Sequence, residues 1–503
     1  MHKIGIIDLG SNTTRLIVMA YERGVCFRLT DEVSEVVRLA EGVDATNRLQ
    51  PKPIRRAVNA LRMFERYCRS IEVEQIIAVG TSAIREATNQ EAFWSALRRE
   101  TSLDLRIISA QEEAYYGYLG TVNALGMRQG FTFDTGGGST QVVAVAARRP
   151  VETYSVQAGV VRFTERYVRN DNEPINKTDI RILRDAARSA FTNLDWLRAD
   201  PAHTLAGMGG TIRTLARIDQ KSRAYPLDRV HGYSLSREAL AAMVEQLSRK
   251  GRREREQIPG MKDDRADVTL AGAVIIEQLM DKGGFRQLTV SGQGVREGFF
   301  YAHFLQGTDP PLFADSRSFS MLNLARLSHY EEAHCQKVAA LSLSLFDQLV
   351  TLHGYGPWER ELLGFAATIH DIGVSVGYYD HHKHSEYLVH NAALLGFSHR
   401  EIVILGALVR NHRKGLAELA PYTAVLQLDD GVRIARLSAL LRLAEYLERS
   451  KSQVVQTVRV TLGETVRVIV EASGDASVEI WDTNRRAGLF RKAFDKEIEI
   501  VAG

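Results

Sequence analysis

Two aspartates stand in the same local pattern, each at the end of a predicted strand and two residues ahead of a glycine-rich turn. Asp8 follows the apolar run 4–7, and Asp134 follows the run 131–133. The turns consist of Gly10, Ser11, Asn12 and Thr13 in the first motif, and Gly136, Gly137, Gly138 and Ser139 in the second. Glycine lets backbone N–H groups approach an anion closely, and an aspartate beside a phosphate can hold Mg²⁺. If the two turns face each other, they form a phosphate clamp.

A third glycine-rich turn also follows a predicted strand. It consists of Gly209, Gly210 and Thr211 and leads into a predicted helix. A single glycine cluster often marks no more than a tight turn, and an aspartate beside it often serves only the turn. The recurrence of the pattern favours phosphate binding. Asp8 and Asp134 also stand at strand ends, where α/β sheets bind their ligands.

Glu113 is the candidate general base. Ser109 and Glu112 match the S-x-x-E capping box at the start of a helix. Helix capping therefore explains Glu112 but not Glu113. A carboxylate at this place can deprotonate a water molecule for attack on a terminal phosphoryl group. The alternative is an acid that merely complements the helix dipole. The spacing alone leaves both interpretations open.

Arg85 is the candidate anion-binding cation. It falls in the first turn of a helix that begins after Thr81 and Ser82, where a positive charge opposes the helix dipole. Such a charge is explained if an anion binds there, since both the helix end and the guanidinium would hold it. The alternative is a surface arginine that pairs with Glu86 or Glu91.

A set of histidines in the C-terminal half could bind a divalent metal ion. Its members are His334, the adjacent pair His370 and Asp371, then His381, His382, His384 and His412, with Glu445 further along the chain. A structural helical domain with satisfied histidines explains the same residues, and both interpretations stay open.

The 503 residues predict three or four domains, and the formal charge of +3 gives no general nucleic-acid signature. Three scattered cysteines and the absence of a long apolar segment or signal peptide predict a cytoplasmic protein without a membrane partner. Strand and helix patterns alternate up to a linker near 306–311, helices follow, and alternating apolar residues begin at Val454. We therefore predict two related α/β domains (1–124 and 125–306), an all-α domain (307–452) and a small α+β domain (453–503).

Together these motifs resemble the exopolyphosphatase/guanosine pentaphosphate phosphatase family, which has the actin–hexokinase–heat-shock fold. The resemblance spans the chain and rests on the two phosphate turns and on further segments at 81–85, 108–114, 265–267 and 295–298. It implies two actin-like (ribonuclease H-like) α/β domains, a helical domain like the HD phosphohydrolases, a small C-terminal domain and a homodimer.

The resemblance also assigns roles. Glu113 corresponds to the catalytic glutamate and Arg85 to the active-site arginine, while Asp8 and Asp134 would hold Mg²⁺. Gln141 takes a position where the family often has glutamate, and a neutral amide is a weaker ligand for Mg²⁺. In the helical domain His334, His370 and Asp371 fit an HD metal site, with Glu445 in place of the usual aspartate.

These inferences predict a Mg²⁺-dependent exopolyphosphatase that releases orthophosphate from the end of inorganic polyphosphate. The nearest alternative is the same reaction on guanosine pentaphosphate. More distant alternatives are an ATP-dependent kinase of the same superfamily and a polyphosphate or alarmone sensor without turnover.

Overall fold

A computed structural model describes residues 1–503, and the chain forms two compact units. Unit 1 comprises Met1–Ala314 and unit 2 comprises Asp315–Gly503. None of the helices has the length and apolar character needed to cross a membrane. The finer division into four domains stays a prediction.

The first sheet of unit 1 has five strands in the order β3-β2-β1-β4-β5. The first three strands are antiparallel neighbours, and β4 and β5 run parallel to β1. The strands are β1 His2–Leu9, β2 Thr13–Glu22, β3 Cys26–Val36, β4 Gln75–Gly80 and β5 Leu105–Ile107. The helices that follow along the chain are α1 Val43–Thr46, α2 Pro51–Ser70, α3 Ser82–Glu86, α4 Gln90–Glu100 and α5 Ala110–Leu125.

The second sheet has six strands in the order β10-β11-β9-β6-β7-β8. Its strands are β6 Gly130–Thr135, β7 Thr140–Ala146, β8 Arg149–Val156, β9 Thr204–Met208, β10 Ser234–Ser236 and β11 Gln287–Val290. Its helices are α6 Val160–Tyr167, α7 Lys177–Ala190, α8 Gly210–Ser222, α9 Arg237–Ser248, α10 Arg252–Glu256, α11 Thr269–Gly283 and α12 Val295–Phe304, with a 3₁₀ turn at Asp263–Arg265.

The two sheets repeat one topology, as the sequence motifs predicted. In both, a central strand pairs antiparallel with the next strand and parallel with a later one, namely β1 with β2 and β4, and β6 with β7 and β9. The register repeats as well, because Asp8 lies opposite Arg15 and Asp134 lies opposite Gln141. Asp8 and Asp134 therefore occupy equivalent places in two related sheets.

Two helices join the sheets closely. Helix α5 follows β5 of the first sheet but packs on β6, β7 and β8 of the second, and it also contacts α12. Glycine makes this approach possible, because a Cβ atom on Gly120 would collide with the carbonyl of Gly294, and one on Gly298 with the carbonyl of Tyr116. The starts of α5 and α12 are thereby held beside the ends of the central strands.

Unit 2 is helical over most of its length and ends in a small sheet with the order β12-β13-β14. Its helices are α13 Ser316–Leu327, α14 Glu332–Gln348, α15 Val350–His353, α16 Pro357–Ile369, α17 His381–Asn391, α18 His399–Asn411, α19 Asp430–Leu447, α20 Ser477–Arg486 and α21 Gly488–Phe494. Two 3₁₀ turns lie at Ile372–Ser375 and Ala420–Tyr422, and the strands are β12 Val455–Thr461, β13 Thr465–Ala472 and β14 Glu497–Ala502.

The helices and the sheet of unit 2 share one hydrophobic core. The alternation predicted from Val454 onward is present, since Val466, Val468 and Val470 of β13 are buried while Arg467 between them is exposed. One face of the sheet therefore covers the helices. The assignment of this unit to the HD-like domains stays a prediction.

Candidate active site

A polar cleft in unit 1 lies at the ends of β1 and β6, where the glycine turns begin. Its lining includes Asp8 and Asp134 together with Glu113 from the start of α5. Eight of the predicted phosphate-binding residues also line it, namely Gly10, Ser11, Asn12, Thr13, Gly136, Gly137, Gly209 and Gly210. The three turns predicted from sequence thus face one space.

The two aspartate-led turns touch each other. A Cβ atom on Gly137 would lie 2.8 Å from Cβ of Ser11 and 3.1 Å from the amide nitrogen of Asn12, so glycine permits the contact. Ser11 Oγ lies 2.9 Å from Ser82 Oγ, which ties the first turn to the start of α3. Gly209 has a φ of +96°, and a Cβ atom there would lie 2.5 Å from Asp134 Oδ1. Backbone conformation and close packing therefore both require these glycines.

Three carboxyl groups share the cleft, and the pKa of each is raised, mainly by burial. Burial raises the pKa of Glu113 to about 8, with smaller contributions from Asp134 and Asp8, while Arg85 opposes the shift. Burial and the neighbouring charge of Asp8 raise the pKa of Asp134 to about 6. The pKa of Asp8 is raised as well, mainly by burial. Burial thus disfavours the charged form of all three carboxyl groups.

These carboxyl groups fit a divalent cation. Asp8 Oδ1 is buried and accepts no hydrogen bond. A hard cation such as Mg²⁺ takes oxygen ligands from one or two carboxylates and from phosphate oxygens, and its charge would remove the repulsion between Asp8 and Asp134. The donor set of this cleft is therefore suited to Mg²⁺.

Glu113 is positioned by the cap of its helix and by Arg85. Ser109 Oγ accepts the N–H of Glu112 at 3.1 Å, and Glu112 Oε2 accepts the N–H of Ser109 at 2.8 Å, which completes the predicted capping box. Arg85 Nη1 donates to Glu113 Oε2 at 3.1 Å and to the carbonyl of Ile108 at 2.8 Å. The cap fixes the start of α5, and Glu113, one residue further, lines the cleft.

Four arginines complete the lining, from both halves of unit 1. They are Arg15, Arg213, Arg265 and Arg296. Only Arg296 has carboxylates within 4.0 Å, those of Glu32 and Glu297. Arg213 Nη1 donates to the carbonyl of Gly292 at 2.8 Å. A guanidinium group is always charged at neutral pH and binds phosphate through two parallel hydrogen bonds, so this group of cations forms an anion site.

Repulsion from neighbouring arginines contributes to the pKa values of Arg15 and Arg213. Burial and the charges of Arg213, Arg296 and Arg265 together lower the pKa of Arg15 to about 9. Burial and the charge of Arg296 lower the pKa of Arg213 to about 10. All four remain protonated at pH 7. The charges of Arg15 and Arg213 have no carboxylate within 4.0 Å, and a bound polyanion would compensate them.

Five of the residues predicted for this site do not line the cleft, namely Arg85, Gly138, Ser139, Gln141 and Thr211. Ser139 Oγ accepts a hydrogen bond of 2.8 Å from the side-chain amide of Gln141, which is itself buried. Thr211 packs toward Gly272 of α11, and Gly138 contacts Ser82. The guanidinium of Arg85 reaches the cleft through Glu113. The roles assigned to these five residues stay predictions.

Sequence reasoning did not assign roles to the four lining arginines. Arg15 lies on β2 opposite Asp8, directly before the buried apolar residues 16–20. Arg213 lies in the first turn of α8, after the third glycine turn. The argument that singled out Arg85, a cation opposing a helix dipole, applies equally to Arg213. Arg15 was detectable as a lone charge inside an apolar strand.

Of the histidines predicted as a metal set, His334, His370, His381 and His412 lie together around Asp371 in unit 2, whereas His382 and His384 belong to neither group of converging ligand atoms. His334 comes from α14, His370 and Asp371 follow α16, and Glu445 comes from α19. The Nε2 atoms of His370 and His334 lie 3.0 Å and 3.3 Å from Glu445 Oε2. All four residues are buried or nearly so.

Comparison with known proteins agrees with the geometry of the cleft. Residues 17–306 match the model of the Ppx/GppA phosphatase family, and residues 316–472 match the model of domain III of the Ppx/GppA phosphatases. The first match covers more than half of the chain. The chain therefore belongs to the Ppx/GppA phosphatase family.

The solved structures that resemble this chain include two members of this kind. An exopolyphosphatase from Cytophaga hutchinsonii matches with a TM-score of 0.55 and 24% identity, over 60% of this chain and 98% of that chain, which shows the fold alone. The Aquifex aeolicus member of the Ppx/GppA family matches with a TM-score of 0.51 and 28% identity, over 61% of this chain and 98% of that chain. The α/β unit thus has the actin-like fold predicted from the sequence, and the protein is a phosphatase of this family.

The poorly compensated charge of Arg15 makes a prediction about stability. We expect Arg15→Met to stabilise unit 1 by about 1–3 kcal/mol without anions, because an apolar side chain relieves desolvation and repulsion. The same variant should gain less stability than wild type when tripolyphosphate is added. Calorimetric melting in the presence of a chelator, with and without tripolyphosphate, measures both effects.

Arg99→Met is the control, because it removes the same charge at an exposed position on α4. It should leave the melting temperature and the tripolyphosphate response near those of wild type. An Arg15→Met protein whose tripolyphosphate response equals that of wild type would contradict an anion site at Arg15.

Proposed function

We propose that this phosphatase is an exopolyphosphatase that removes orthophosphate from the end of inorganic polyphosphate. The observation that carries the proposal is the group of four arginines beside three glycine turns in one cleft. Mg²⁺ and one terminal phosphate would occupy the aspartates and the turns. The four arginines supply more positive charge than a single phosphate needs. They suit a substrate that carries negative charge on each successive phosphate unit.

The composition of the cleft favours an inorganic chain over a guanine nucleotide. Among the lining residues there is no aromatic side chain, and the apolar ones are Val160 and Val295. A purine base is usually held by stacking or by an apolar wall together with hydrogen bonds to its edge. Guanosine pentaphosphate therefore remains the alternative substrate. Its phosphates would bind in the same place, but the lining residues offer no aromatic side chain on which its base could stack.

The proposed reaction is an in-line attack of water on the terminal phosphorus. Glu113, once ionised, accepts a proton from the attacking water while the new P–O bond forms. The bond between the terminal phosphorus and the bridging oxygen breaks, orthophosphate leaves, and the shortened chain keeps the bridging oxygen. The arginines and the backbone N–H groups of the turns hold the phosphates and stabilise the charge that develops during transfer.

Mg²⁺, held by Asp8 and Asp134 when bound, would neutralise phosphate charge. Arg85 is proposed to serve Glu113 as well as the substrate. Its guanidinium orients the carboxylate through the 3.1 Å hydrogen bond and lowers the pKa of that group against the effect of burial.

An ATP-dependent kinase and a sensor without turnover are disfavoured by the same residue. A kinase must keep water from the transferred phosphoryl group, whereas Glu113 is a buried carboxyl group with a pKa near neutrality beside the phosphate turns. A sensor has no need for such a group, whose burial costs stability.

The general-base role of Glu113 predicts a specific loss of turnover. Glu113→Gln should lower kcat for phosphate release from polyphosphate by about 10²–10⁴, while KM changes little. The matched control is Glu112→Gln, because glutamine preserves the capping box and the side chain serves the helix start. That control should remain within about twofold of wild type. Near-normal kcat in Glu113→Gln would remove the assignment.

The pKa of Glu113 predicts how activity depends on pH. Burial raises this pKa to about 8, so the carboxyl group is largely protonated below that pH and cannot accept a proton. At a fixed Mg²⁺ concentration, kcat/KM should rise with pH. In Arg85→Gln the rise should move to higher pH, by about one unit or more, because a neighbouring cation is lost.

The control for this shift is Arg106→Gln, which removes an arginine that pairs with Glu112. Its pH profile should coincide with that of wild type. A profile in Arg85→Gln that loses height without moving along the pH axis would show that Arg85 does not act on the ionisation of Glu113.

The substrate itself is tested by measuring phosphate release from long-chain polyphosphate and from guanosine pentaphosphate, with and without Mg²⁺. We expect kcat/KM for polyphosphate to exceed that for guanosine pentaphosphate by tenfold or more. The reverse order would replace the proposed substrate by the nucleotide. Absence of release from both substrates would favour a sensor, and ATP consumption that requires an added acceptor would favour a kinase.

A further inference from the structure

A fourth glycine turn, residues 291–294, connects β11 to α12 and borders the cleft through Gln293 and Gly294. Each of its four N–H groups is already bonded within the protein. In chain order the acceptors are the carbonyl of Gly207 at 2.7 Å, His231 Nδ1 at 3.1 Å, Ser291 Oγ at 3.2 Å and Glu297 Oε2 at 2.7 Å. The turn therefore has no backbone donor left for an anion. It can contribute to the cleft only through its carbonyl groups and the side chain of Gln293.

The side chain of Gln293 is bonded at its oxygen only. Tyr301, which is buried on α12, donates a hydrogen bond of 2.6 Å from its hydroxyl to Gln293 Oε1. A carboxamide nitrogen carries two N–H donors, and those of Gln293 Nε2 have no acceptor within the protein. Gln293 is partly exposed in the cleft that it lines, so these donors are available to a ligand.

Asn123 of α5 shows how an amide with a purely structural role is satisfied. Its Nδ2 donates to the carbonyl of Pro311 at 3.0 Å, and its Oδ1 accepts the N–H of Phe313 at 2.9 Å. Both ends of that side chain are bonded, and the residue is fully buried. Gln293 resembles Asn123 at the oxygen but presents its nitrogen to the cleft, as a binding residue does.

The guanidinium of Arg213 is held beside Gln293 by the preceding residue of the turn. Arg213 lies in the first turn of α8, and its Nη1 donates to the carbonyl of Gly292 at 2.8 Å. A guanidinium has five N–H donors in a fixed plane, so one anchored corner leaves the others for an anion. The amide of Gln293 and the guanidinium of Arg213 thus line the same cleft as neighbours.

His231 holds the residue that anchors Arg213. Its Nδ1 accepts the N–H of Gly292 at 3.1 Å, and its Nε2 lies 3.2 Å from the carbonyl oxygen of Ala124 in the last turn of α5. Because a carbonyl oxygen can only accept, Nε2 carries the proton, and the neutral ring is bonded at both nitrogens. A Cβ atom on Gly292 would lie 2.9 Å from His231 Cβ, so glycine permits this approach. His231 itself does not line the cleft and acts through Gly292.

We propose that Gln293 and Arg213 together bind one phosphate group of the substrate, and that His231 is the positioning residue that aligns them. The inference rests on the function proposed above, because it assigns contacts to the same polyphosphate chain. Gln293 binds through hydrogen bonds and carries no charge. It therefore provides donors without increasing the repulsion among the four arginines of the cleft, which a lysine at the same place would increase.

The test is calorimetric titration of the full chain with tripolyphosphate in the presence of a chelator, where no turnover is needed. Gln293→Leu should weaken binding by about tenfold, the value of a hydrogen bond to a charged group. Gln293→Glu keeps the shape and the acceptor for Tyr301 but sets a negative charge against the phosphate, so it should weaken binding more than Gln293→Leu does. The control is Gln129→Glu, which makes the same change at an exposed position before the start of β6. It should bind within about twofold of wild type.

The positioning role of His231 is tested by phosphate release from polyphosphate. His231→Leu should raise KM by about fivefold or more, with a smaller fall in kcat, because the hydrogen bond to Gly292 is lost. His231→Asn keeps an acceptor for that N–H and should restore part of the loss. A variant that is merely misfolded lowers kcat and leaves KM unchanged, and that result for His231→Leu would overturn the positioning role.

The binding experiment separates this inference from the proposed function. Equal affinity for tripolyphosphate in wild type, Gln293→Leu and Gln293→Glu would overturn the phosphate position and leave the proposed function standing. Wild-type protein that neither binds tripolyphosphate nor releases phosphate from polyphosphate would overturn both.

Discussion

The cleft of unit 1 brings three carboxyl groups and four arginines into one space. Only Arg296 among these arginines has a carboxylate within 4.0 Å. Asp8, Asp134 and Glu113 are withdrawn from water on one side, and four arginines surround the same space. Burial and neighbouring like charges raise the pKa values of Glu113 and Asp134 and lower the pKa of Arg15. Such groups persist only where the fold holds them in place, and strongly shifted pKa values of this kind are typical of functional sites.

The repeated topology explains how the charges meet. Two related sheets place Asp8 and Asp134 at equivalent strand ends, and the exchange of α5 and α12 between the sheets brings helix starts to the same edge. The repeat is not symmetric in its chemistry. Arg15 lies opposite Asp8 and lines the cleft, whereas Gln141, at the equivalent place opposite Asp134, binds Ser139. One half thus places a cation in the cleft where the other places an amide that supports a turn.

Unit 2 follows the same physical principle with different atoms. The Nδ1 atoms of His370, His381 and His412 face backbone carbonyls, and their Nε2 atoms lie 3.8, 3.2 and 3.4 Å from Asp371 Oδ1. Each unit contains a buried carboxylate oxygen that accepts no hydrogen bond, Asp8 Oδ1 in the cleft and Asp371 Oδ1 among the histidines.

Local patterns in the sequence were sufficient for the strands, the glycine turns, the capping box at Ser109 and the change to alternation near Val455. These depend on residues a few positions apart, so the chain itself carries the information. Local patterns also marked Glu113 and His370 as unusual. Only the tertiary structure decided that Arg15 and Arg213 line the cleft, that Arg85 bonds to Glu113 and that Gln141 serves Ser139. Those outcomes depend on distances between residues far apart in the chain and on the exclusion of water, which exist only once the two sheets have packed.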